Sequence, residues 1–297
     1  MILNRSNLVT MNTGFKATFQ QAFDGTAIDY EPLITRVPST DSAEEYGWLG
    51  ATTGFREWVG DRVAQNLELH GYTIKNKSFE NTVKVPATAV SDDKYGVYSP
   101  VFAQLGQDAK RHPAKLIYNL LAAGFATKCF DGQFFFDTDH PVLDANGVEQ
   151  SVSNTGGGAG TAWYLLDTTR IIRPIILQMR KDYQFVSKDM PTDDNLFWGN
   201  ELVYGADARL NVGYGLWQLA YASKQTLNAA SLNAAIAAMA NFKGDNGDPL
   251  GIKPSLLVVP FALRETALKL VTAELSTNGE TNINKNAVDV LITSWLS

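Results

Sequence analysis

The sequence has little that would indicate a secreted protein or a membrane protein. Only one of its 297 residues is cysteine, Cys129, so an intrachain disulfide is excluded and a reducing compartment fits. The N-terminal segment lacks an apolar stretch long enough for a signal peptide. No segment approaches the roughly 18 consecutive apolar residues of a membrane span. We therefore expect a soluble product that is made in the cytosol.

Positive charge is scarce as well. The chain has 25 lysines and arginines against 31 aspartates and glutamates, which gives a formal net charge of −6. Proteins that bind nucleic acid electrostatically neutralise phosphates with clustered lysine and arginine, so this class is not expected. No run of like charge is long enough to form a tail. The hydrophobic share of 45% and the length allow one large domain or two ordinary ones with a sizeable core.

Four segments predict helices, because their apolar residues recur at helical spacing. They cover residues 6–23, 98–130, 227–242 and 261–274, and the second has the strongest pattern. Within it, Pro113 predicts a kink or a restart after His112, since proline lacks an N–H group and clashes with the preceding turn.

Strand-forming residues dominate several other segments, namely 163–188, 200–224, 254–260 and 287–297. The glycine-rich segment "NTGGGAGTAW" (154–163) predicts a flexible loop, and it lacks the Lys-Ser/Thr pair of a phosphate-binding loop. Helices and strands do not alternate in a βαβ pattern. The sequence therefore predicts an α+β fold.

Residues 37–90 form a long and largely polar region that would make a poor core. Alternation over residues 70–87 changes parity across "KNKS", which predicts a hairpin or a bulge. The same region carries Trp48, Phe55 and Trp58 among paired charges. Aromatic residues and arginine are the preferred anchors of protein–protein interfaces, so we expect this region to rest on another protein surface.

Candidates for chemistry are few. Asp137, Asp139 and His140 lie within four residues, and carboxylate and imidazole ligands suit zinc or iron. The alternative, which we favour, is a turn in which aspartate side chains bond nearby backbone N–H groups. The sequence shows no base that could activate Cys129 as a nucleophile, so we interpret Cys129 as a small buried hydrophobic residue. We expect no catalytic residue, no cofactor and no metal.

Several stretches resemble the major head subunit of Mu-like bacteriophages, in order along nearly the whole chain. They are "YGWLG", "FREWVGDR", "YTIKNKSFE", "YGVYSP", "FFDTDHP", "AWYLLD", "YGADARLNVGYGLWQLAYASKQTL" and "GIKPSLLVVP". The resemblance implies a Hong Kong 97-like capsid fold with an N-terminal arm, an extended E-loop hairpin, a peripheral domain with a long spine helix, and an axial domain near the capsomer centre. Placed on this sequence, these are the arm at 1–36, the E-loop at 37–90, the peripheral domain at 91–225 (spine about 98–127, strands about 160–225) and the axial domain at 226–297.

The resemblance also implies a function. Such a chain would be the major capsid protein that assembles, as pentamers and hexamers of itself, into the icosahedral shell around the double-stranded DNA genome of a tailed phage or prophage. It would bind the DNA without sequence specificity, contact no membrane, and be found in the virion after assembly in the host cytoplasm. A portal and a maturation protease are expected partners. A separate scaffolding protein is expected too, since no long scaffolding segment precedes the arm.

Under this interpretation "FREWVGDR" is a joint between subunits. Its charged residues would fix the register of neighbouring subunits, and its aromatic residues would act as apolar anchors together with Trp48. The residues are Phe55, Arg56, Glu57, Trp58, Asp61 and Arg62. The alternative is a solvated hairpin surface, on which each charge pair contributes little.

Two other functions stay open at this point. One is an encapsulin-like nanocompartment shell on the same fold, which would enclose cargo enzymes. The other is a metal-dependent hydrolase that uses Asp137, Asp139 and His140.

Overall fold

Two larger β-sheets, two small strand pairs and the helices packed against them make up the described part of the chain. The computed structural model describes residues 4–47, 49, 71–92, 95–244, 247–275 and 279–296. In these ranges the helices are α1 Arg5–Gly25, α2 Ala87–Ser91, α3 Ser99–Ala122, α4 Asp194–Gly199, α5 Ala229–Ala240 and α6 Arg264–Thr272. The strands are β1 Ile34–Pro38, β2 Ala43–Glu45, β3 Thr73–Lys75, β4 Lys77–Pro86, β5 His140–Leu143, β6 Glu149–Val152, β7 Thr155–Gly158, β8 Trp163–Leu166, β9 Ile175–Lys188, β10 Glu201–Tyr214, β11 Ala220–Lys224, β12 Leu256–Pro260 and β13 Asp289–Thr293. Among the described helices, none has the length and apolar character needed to cross a membrane.

The two larger sheets differ in the number and order of their strands. A four-stranded sheet has the order β1-β9-β10-β4, and β9 and β10 are its long central strands. A five-stranded sheet has the order β13-β12-β8-β11-β7. Two small pairs, β2-β3 and β5-β6, complete the described strands. The mixture confirms the predicted α+β class.

Helix α1 packs its apolar stripe against α3 and the four-stranded sheet. The side chain of Asn4 accepts a hydrogen bond from the Asn7 amide and so caps the first turn. The stripe buries Leu8, Met11, Phe15 and Phe19, as the spacing predicts. Phe15 stacks on Phe102 of α3 at 4.0 Å between ring centroids and meets Tyr204 of β10 edge-on at 5.4 Å. The segment predicted as an arm is therefore joined to the body of the subunit through a shared core.

Helix α3 runs through Pro113 as one element, so a restart is wrong and the alternative, a kink, stays a prediction. The proline removes one backbone hydrogen bond and costs about 3 kcal/mol in a helix interior. Its neighbours on the same face, Leu105 and Ala109 before it and Ile117 and Leu121 after it, are all buried. The burial of these four residues offsets the free energy that the proline costs. Sequence periodicity alone does not include that contribution.

The five-stranded sheet is the second centre of packing. All residues of β8 and β12 are buried, which confirms the prediction of a buried strand at "PSLLVVP". The predicted loop at 154–163 is partly wrong, because β7 lies within it and pairs in parallel with β11. Gly158 explains this pairing. A Cβ atom there would lie 2.4 Å from the Lys224 carbonyl carbon, and its φ of 96° favours glycine.

The strand pairing crosses several predicted boundaries. Of the two alternatives predicted at 70–87, a hairpin or a bulge, the hairpin is wrong, because β3 pairs with β2 whereas β4 pairs with β10. The boundary after residue 225 separates β8 and β11 from β12 and β13, yet all four strands belong to one sheet. The four-part division of the chain stays a prediction.

We expect Gly106→Ala to lower the stability of the isolated subunit. A Cβ atom at this position of α3 would lie 2.3 Å from the Phe19 carbonyl oxygen of α1, so the two helices would have to separate. Such overpacking typically costs about 1–3 kcal/mol. The matched control is Gly14→Ala on α1, where nothing lies within 4 Å of the added atom. It should leave the free energy of unfolding unchanged or raise it by up to about 1 kcal/mol.

Urea unfolding of both variants measures the difference. Equal effects of the two substitutions would contradict the close approach of α1 and α3 at Gly106.

Candidate functional site

The predicted joint between subunits lies outside the described residues. This applies to every residue assigned to it, namely Trp48, Phe55, Arg56, Glu57, Trp58, Asp61 and Arg62. Their role as contacts stays a prediction. Two other groups of residues can be built up from the structure: the polar cluster after α3 and the exposed apolar side chains.

The segment after α3 forms the turn that the sequence predicts. The Asp137 carboxylate accepts hydrogen bonds from the amides of Phe134 at 3.1 Å and Thr138 at 2.8 Å. Burial raises the pKa of Asp137, but these two amides, together with Asp139 and His140, outweigh it and hold the pKa below its usual range. A hydrogen bond with Asp137 raises the pKa of Asp139, which is exposed. The carboxylate of Asp137 thus stabilises its own turn.

His140 joins Cys129 and Asp131. Its Nδ1 lies 2.6 Å from Asp131 Oδ2, and the Cys129 thiol donates to Asp131 Oδ1 at 3.0 Å. The ring stacks on Trp217 at 4.0 Å between centroids and 9° between planes. Its Nε2 lies 3.3 Å from Asn154 Oδ1. We call Cys129, Asp131, His140 and Asn154 the His140 cluster.

Cys129, Asp131 and His140 form a group of metal-capable side chains within the described residues. The hydrolase hypothesis, which relied on Asp137 and Asp139 beside His140, therefore named the wrong partners. Asp131 lies nine positions before His140 and meets it because of how the segment between them folds.

Hydrogen bonds already occupy the cluster's ligand atoms. Burial and the Asp131 charge raise the pKa of the Cys129 thiol, which keeps it neutral, whereas a metal or a nucleophilic reaction needs the thiolate. Burial raises the pKa of Asp131, but hydrogen bonds from His140, Cys129 and the Gln133 amide outweigh it and lower the pKa. Asn154 donates to the Phe135 carbonyl and accepts from the Asp137 amide at 2.9 Å. The arrangement ties the turn to the five-stranded sheet.

Large apolar side chains are exposed at several places. Phe197 and Trp198 on α4 are 78% and 82% exposed and contact each other edge to face at 4.9 Å. This helix lies at the turn between β9 and β10, the far end of the four-stranded sheet. Other exposed apolar residues are Val97, Ile171, Phe261 and Ile283. Scattered exposed apolar residues are normal, so the adjacent aromatic pair on α4 is the better candidate for contact with another protein surface.

Sequence reasoning missed the pair on α4. A signal was present, because "PTDDNLFWGN" places two adjacent aromatic residues in a polar segment between two strand-forming segments. In a monomer such a pair would have been expected to enter a core.

Solved capsid structures share this fold. The chain in the procapsid of bacteriophage JBD30 is 42% identical with a TM-score of 0.89, and the match covers 99% of this chain and 100% of that one. The chain in the JBD30 capsid is 34% identical with a TM-score of 0.80, and the match covers 94% of both chains. Fold and exposed apolar surfaces thus define a shell subunit of a phage capsid with the Hong Kong 97-like fold.

The family follows from the sequence comparison. The model of the Mu-like prophage major head subunit gpT matches residues 8–296. The major capsid protein of Escherichia phage Mu is 36% identical over 305 residues, and the match covers both chains completely. The Mu-like prophage FluMu major head subunit of Haemophilus influenzae is 42% identical, and the match covers 88% of this chain and 87% of that one. The chain belongs to the family of Mu-like major head subunits, a structural protein of the virion capsid, which decides against the nanocompartment alternative.

We expect Asp131→Asn to lower the stability of the subunit at neutral pH. The substitution weakens charge-assisted hydrogen bonds from His140 and Cys129, each worth about 1.5–3 kcal/mol. The folded-state pKa of Asp131 is depressed, so its contribution is present above the unfolded pKa and disappears as the pH falls through the folded value. The difference between wild type and variant should therefore be largest above about pH 4 and should shrink below it.

Urea unfolding at pH 7, 5, 4 and 3 tests this, with Asp92→Asn on the exposed surface as the control. If the His140 cluster holds no metal, EDTA should leave the melting temperature of the subunit unchanged. Stoichiometric zinc, iron or manganese that is lost on His140→Ala would contradict the structural role.

Proposed function

We propose that this chain assembles, as pentamers and hexamers of itself, into a closed icosahedral shell that encloses double-stranded DNA. The observation that carries the proposal is the match over 94–100% of the capsid and procapsid chains of JBD30. The exposed aromatic pair on α4 supports it, because such side chains need a partner surface. A net charge of −6 fits a wall that encloses DNA without binding its sequence.

Further proteins belong to this proposal. A separate scaffolding protein, a portal and a maturation protease are the partners expected of a major head subunit. One JBD30 capsid structure is decorated with minor capsid protein trimers, which adds a decoration protein to the proposed partners.

We assign the two sheets to the two domains of the fold. The four-stranded sheet with α1 and the long helix α3 would be the peripheral domain, and α3 would be its spine. The five-stranded sheet with α5 and α6 would be the axial domain. The axial domain then includes strands on both sides of the peripheral hairpin β9–β10, which replaces the single boundary at residue 225.

The subunit needs no catalytic residue for this role, and we propose that it is not an enzyme. The support comes from the His140 cluster, the described group best suited to hold a metal. Its thiol is kept neutral, and its carboxylate and Nδ1 are bonded to each other.

We expect Arg56→Glu to block or misdirect shell assembly and to leave the subunit folded. Arginine can form a bidentate pair that fixes both direction and distance between subunits. Loss of one partner of a desolvated pair costs on the order of 2–5 kcal/mol, and the shell repeats that loss at every copy. Sedimentation and electron microscopy measure shell yield, and thermal unfolding of the subunit measures its integrity.

Arg56→Lys is the matched control, since it keeps the positive charge and loses the ability to form a bidentate pair. Its yield should fall between those of wild type and Arg56→Glu. Normal yield for Arg56→Glu, or an unfolded subunit, would refute the contact. A wild-type chain that stays at 32.5 kDa at high concentration with scaffold present would refute assembly itself.

We also expect the double substitution Phe197→Ser and Trp198→Ser to reduce assembly. Both side chains are mostly exposed in the subunit, so its melting temperature should hardly change. Buried aromatic anchors contribute about 2 kcal/mol or more to an interface. The concentration needed for assembly should therefore rise by at least about tenfold.

The control pair is Phe197→Tyr with Trp198→Phe, which keeps both aromatic rings and should assemble at nearly the wild-type concentration. An unchanged assembly concentration for the serine variant would show that α4 faces solvent in the shell.

A further inference from the structure

The small β2–β3 sheet holds the two points from which residues 48–70 connect to the rest of the chain. Strand β2 ends at Glu45 and β3 begins at Thr73, and the two residues are partners in the antiparallel register. The Tyr46 amide continues the ladder with a bond to the Tyr72 carbonyl at 2.8 Å. An isolated two-stranded sheet of three residues per strand is marginal in water, so its position has to be fixed by something else.

The four-stranded sheet provides that support on the face opposite its helices. Side chains alternate between the faces of a strand. On β10, Tyr204 packs against α3 and the Tyr214 hydroxyl donates to the Leu120 carbonyl of α3, so their face is the helix side. Gly213 belongs to the other face, where an added Cβ would lie 2.2 Å from the Ile74 side chain. Strand β3 therefore lies directly on β10.

Two side-chain amides on that face bond the small sheet. Gln178 of β9 is fully buried, and its Nε2 donates to the Ile74 carbonyl at 3.0 Å. Its Oε1 accepts from the Tyr46 hydroxyl at 2.8 Å. Asn211, the residue opposite Gln178 on β10, donates to the Lys75 carbonyl at 2.7 Å. Strand β3 and Tyr46, the residue that follows β2, are thus connected to one cross-strand amide pair.

Asn76 extends the network to the start of β2. Its Oδ1 accepts a second hydrogen bond from Gln178 Nε2 at 2.8 Å. Its Nδ2 donates to the Ser39 hydroxyl at 2.7 Å and to the Asp41 carbonyl at 2.8 Å. We call Gln178, Asn211 and Asn76 the amide clamp.

Directional bonds distinguish the clamp from apolar packing. Ile74 alone would hold β3 on the sheet but would allow it to slide or rotate, because apolar contact is non-directional. A buried amide costs free energy unless its hydrogen bonds are made. Gln178 makes its hydrogen bonds to Tyr46, Ile74 and Asn76 only while the small sheet keeps one position.

We propose that the amide clamp sets the orientation of the β2–β3 sheet on the subunit, and thereby the direction in which the chain enters and leaves residues 48–70. Gln178 and Asn211 are positioning residues for assembly in this proposal. The effect of this orientation on assembly rests on the proposed contact of residues 55–62 with a neighbouring subunit. The effect of the amide clamp on the orientation of the small sheet does not depend on that contact.

The test compares Gln178→Leu and Asn211→Ala with Gln184→Leu. Gln184 lies on the same strand and is exposed, so its substitution is the matched control. Hydrogen exchange of the subunit should be at least tenfold faster at the Tyr46 and Asn76 amides in both clamp variants. Exchange in β10 between Leu202 and Ala206 should stay as in wild type. Shell yield should fall in the clamp variants alone.

Asn211→Ala is the milder variant, because Asn211 is half-buried, and it keeps the test valid if Gln178→Leu unfolds. Unchanged exchange at Tyr46 and Asn76 would overturn the proposal. Faster exchange throughout the four-stranded sheet in Asn211→Ala would overturn it too, since the clamp would then stabilise the whole fold. Faster local exchange with normal shells would refute the role in assembly.

The two proposals fail in different ways. If Arg56→Glu assembles normally while the clamp variants show local exchange and lose shells, the contact at residues 55–62 is wrong and the clamp stands. If Arg56→Glu blocks assembly while the clamp variants exchange like wild type, the contact stands and the clamp is wrong.

Discussion

The antiparallel ladder between β9 and β10 supports most other parts of the described subunit. A sheet with apolar residues on both faces must cover both, and here different elements do so. Helices α1 and α3 bury one face through the aromatic group around Phe102 and Tyr204. The small β2–β3 sheet covers the other face near Gln178. Because both are anchored to the same two strands, a shift of the ladder would move the N-terminal helix and the base of residues 48–70 together.

The distribution of apolar residues fits a subunit that folds alone and associates afterwards. The two cores are filled by residues that are almost fully buried within one chain. The aromatic pair on α4 is left outside them. A closed shell does not need strong single contacts, because symmetry repeats each contact over many copies. Modest apolar anchors are therefore suited to set the geometry of such a shell.

Residues that carry chemistry in enzymes have a structural role in the His140 cluster. A histidine, a carboxylate and a thiol meet in a buried place, which in isolation suggests a metal centre. Their hydrogen bonds to one another and to Asn154 satisfy the polar groups that burial would otherwise penalise. The cluster fastens the turn after α3 to the five-stranded sheet, so the long helix and that sheet are held at a fixed connection.

The sequence by itself determined the family, the α+β class and most elements. The stripe of α1, the buried strand β12 and the turn at Asp137 depend on neighbours within a few residues, and such local patterns can be read directly. Only the tertiary structure decided which segments meet. It separated β3 from β4, placed β7 in a glycine-rich segment, carried α3 through Pro113 and gave His140 the partner Asp131. The strand pairings and the continuous helix depend on packing against residues far away in the chain, and the pair of His140 and Asp131 depends on how the segment between them folds. No local pattern contains the free energy of these contacts.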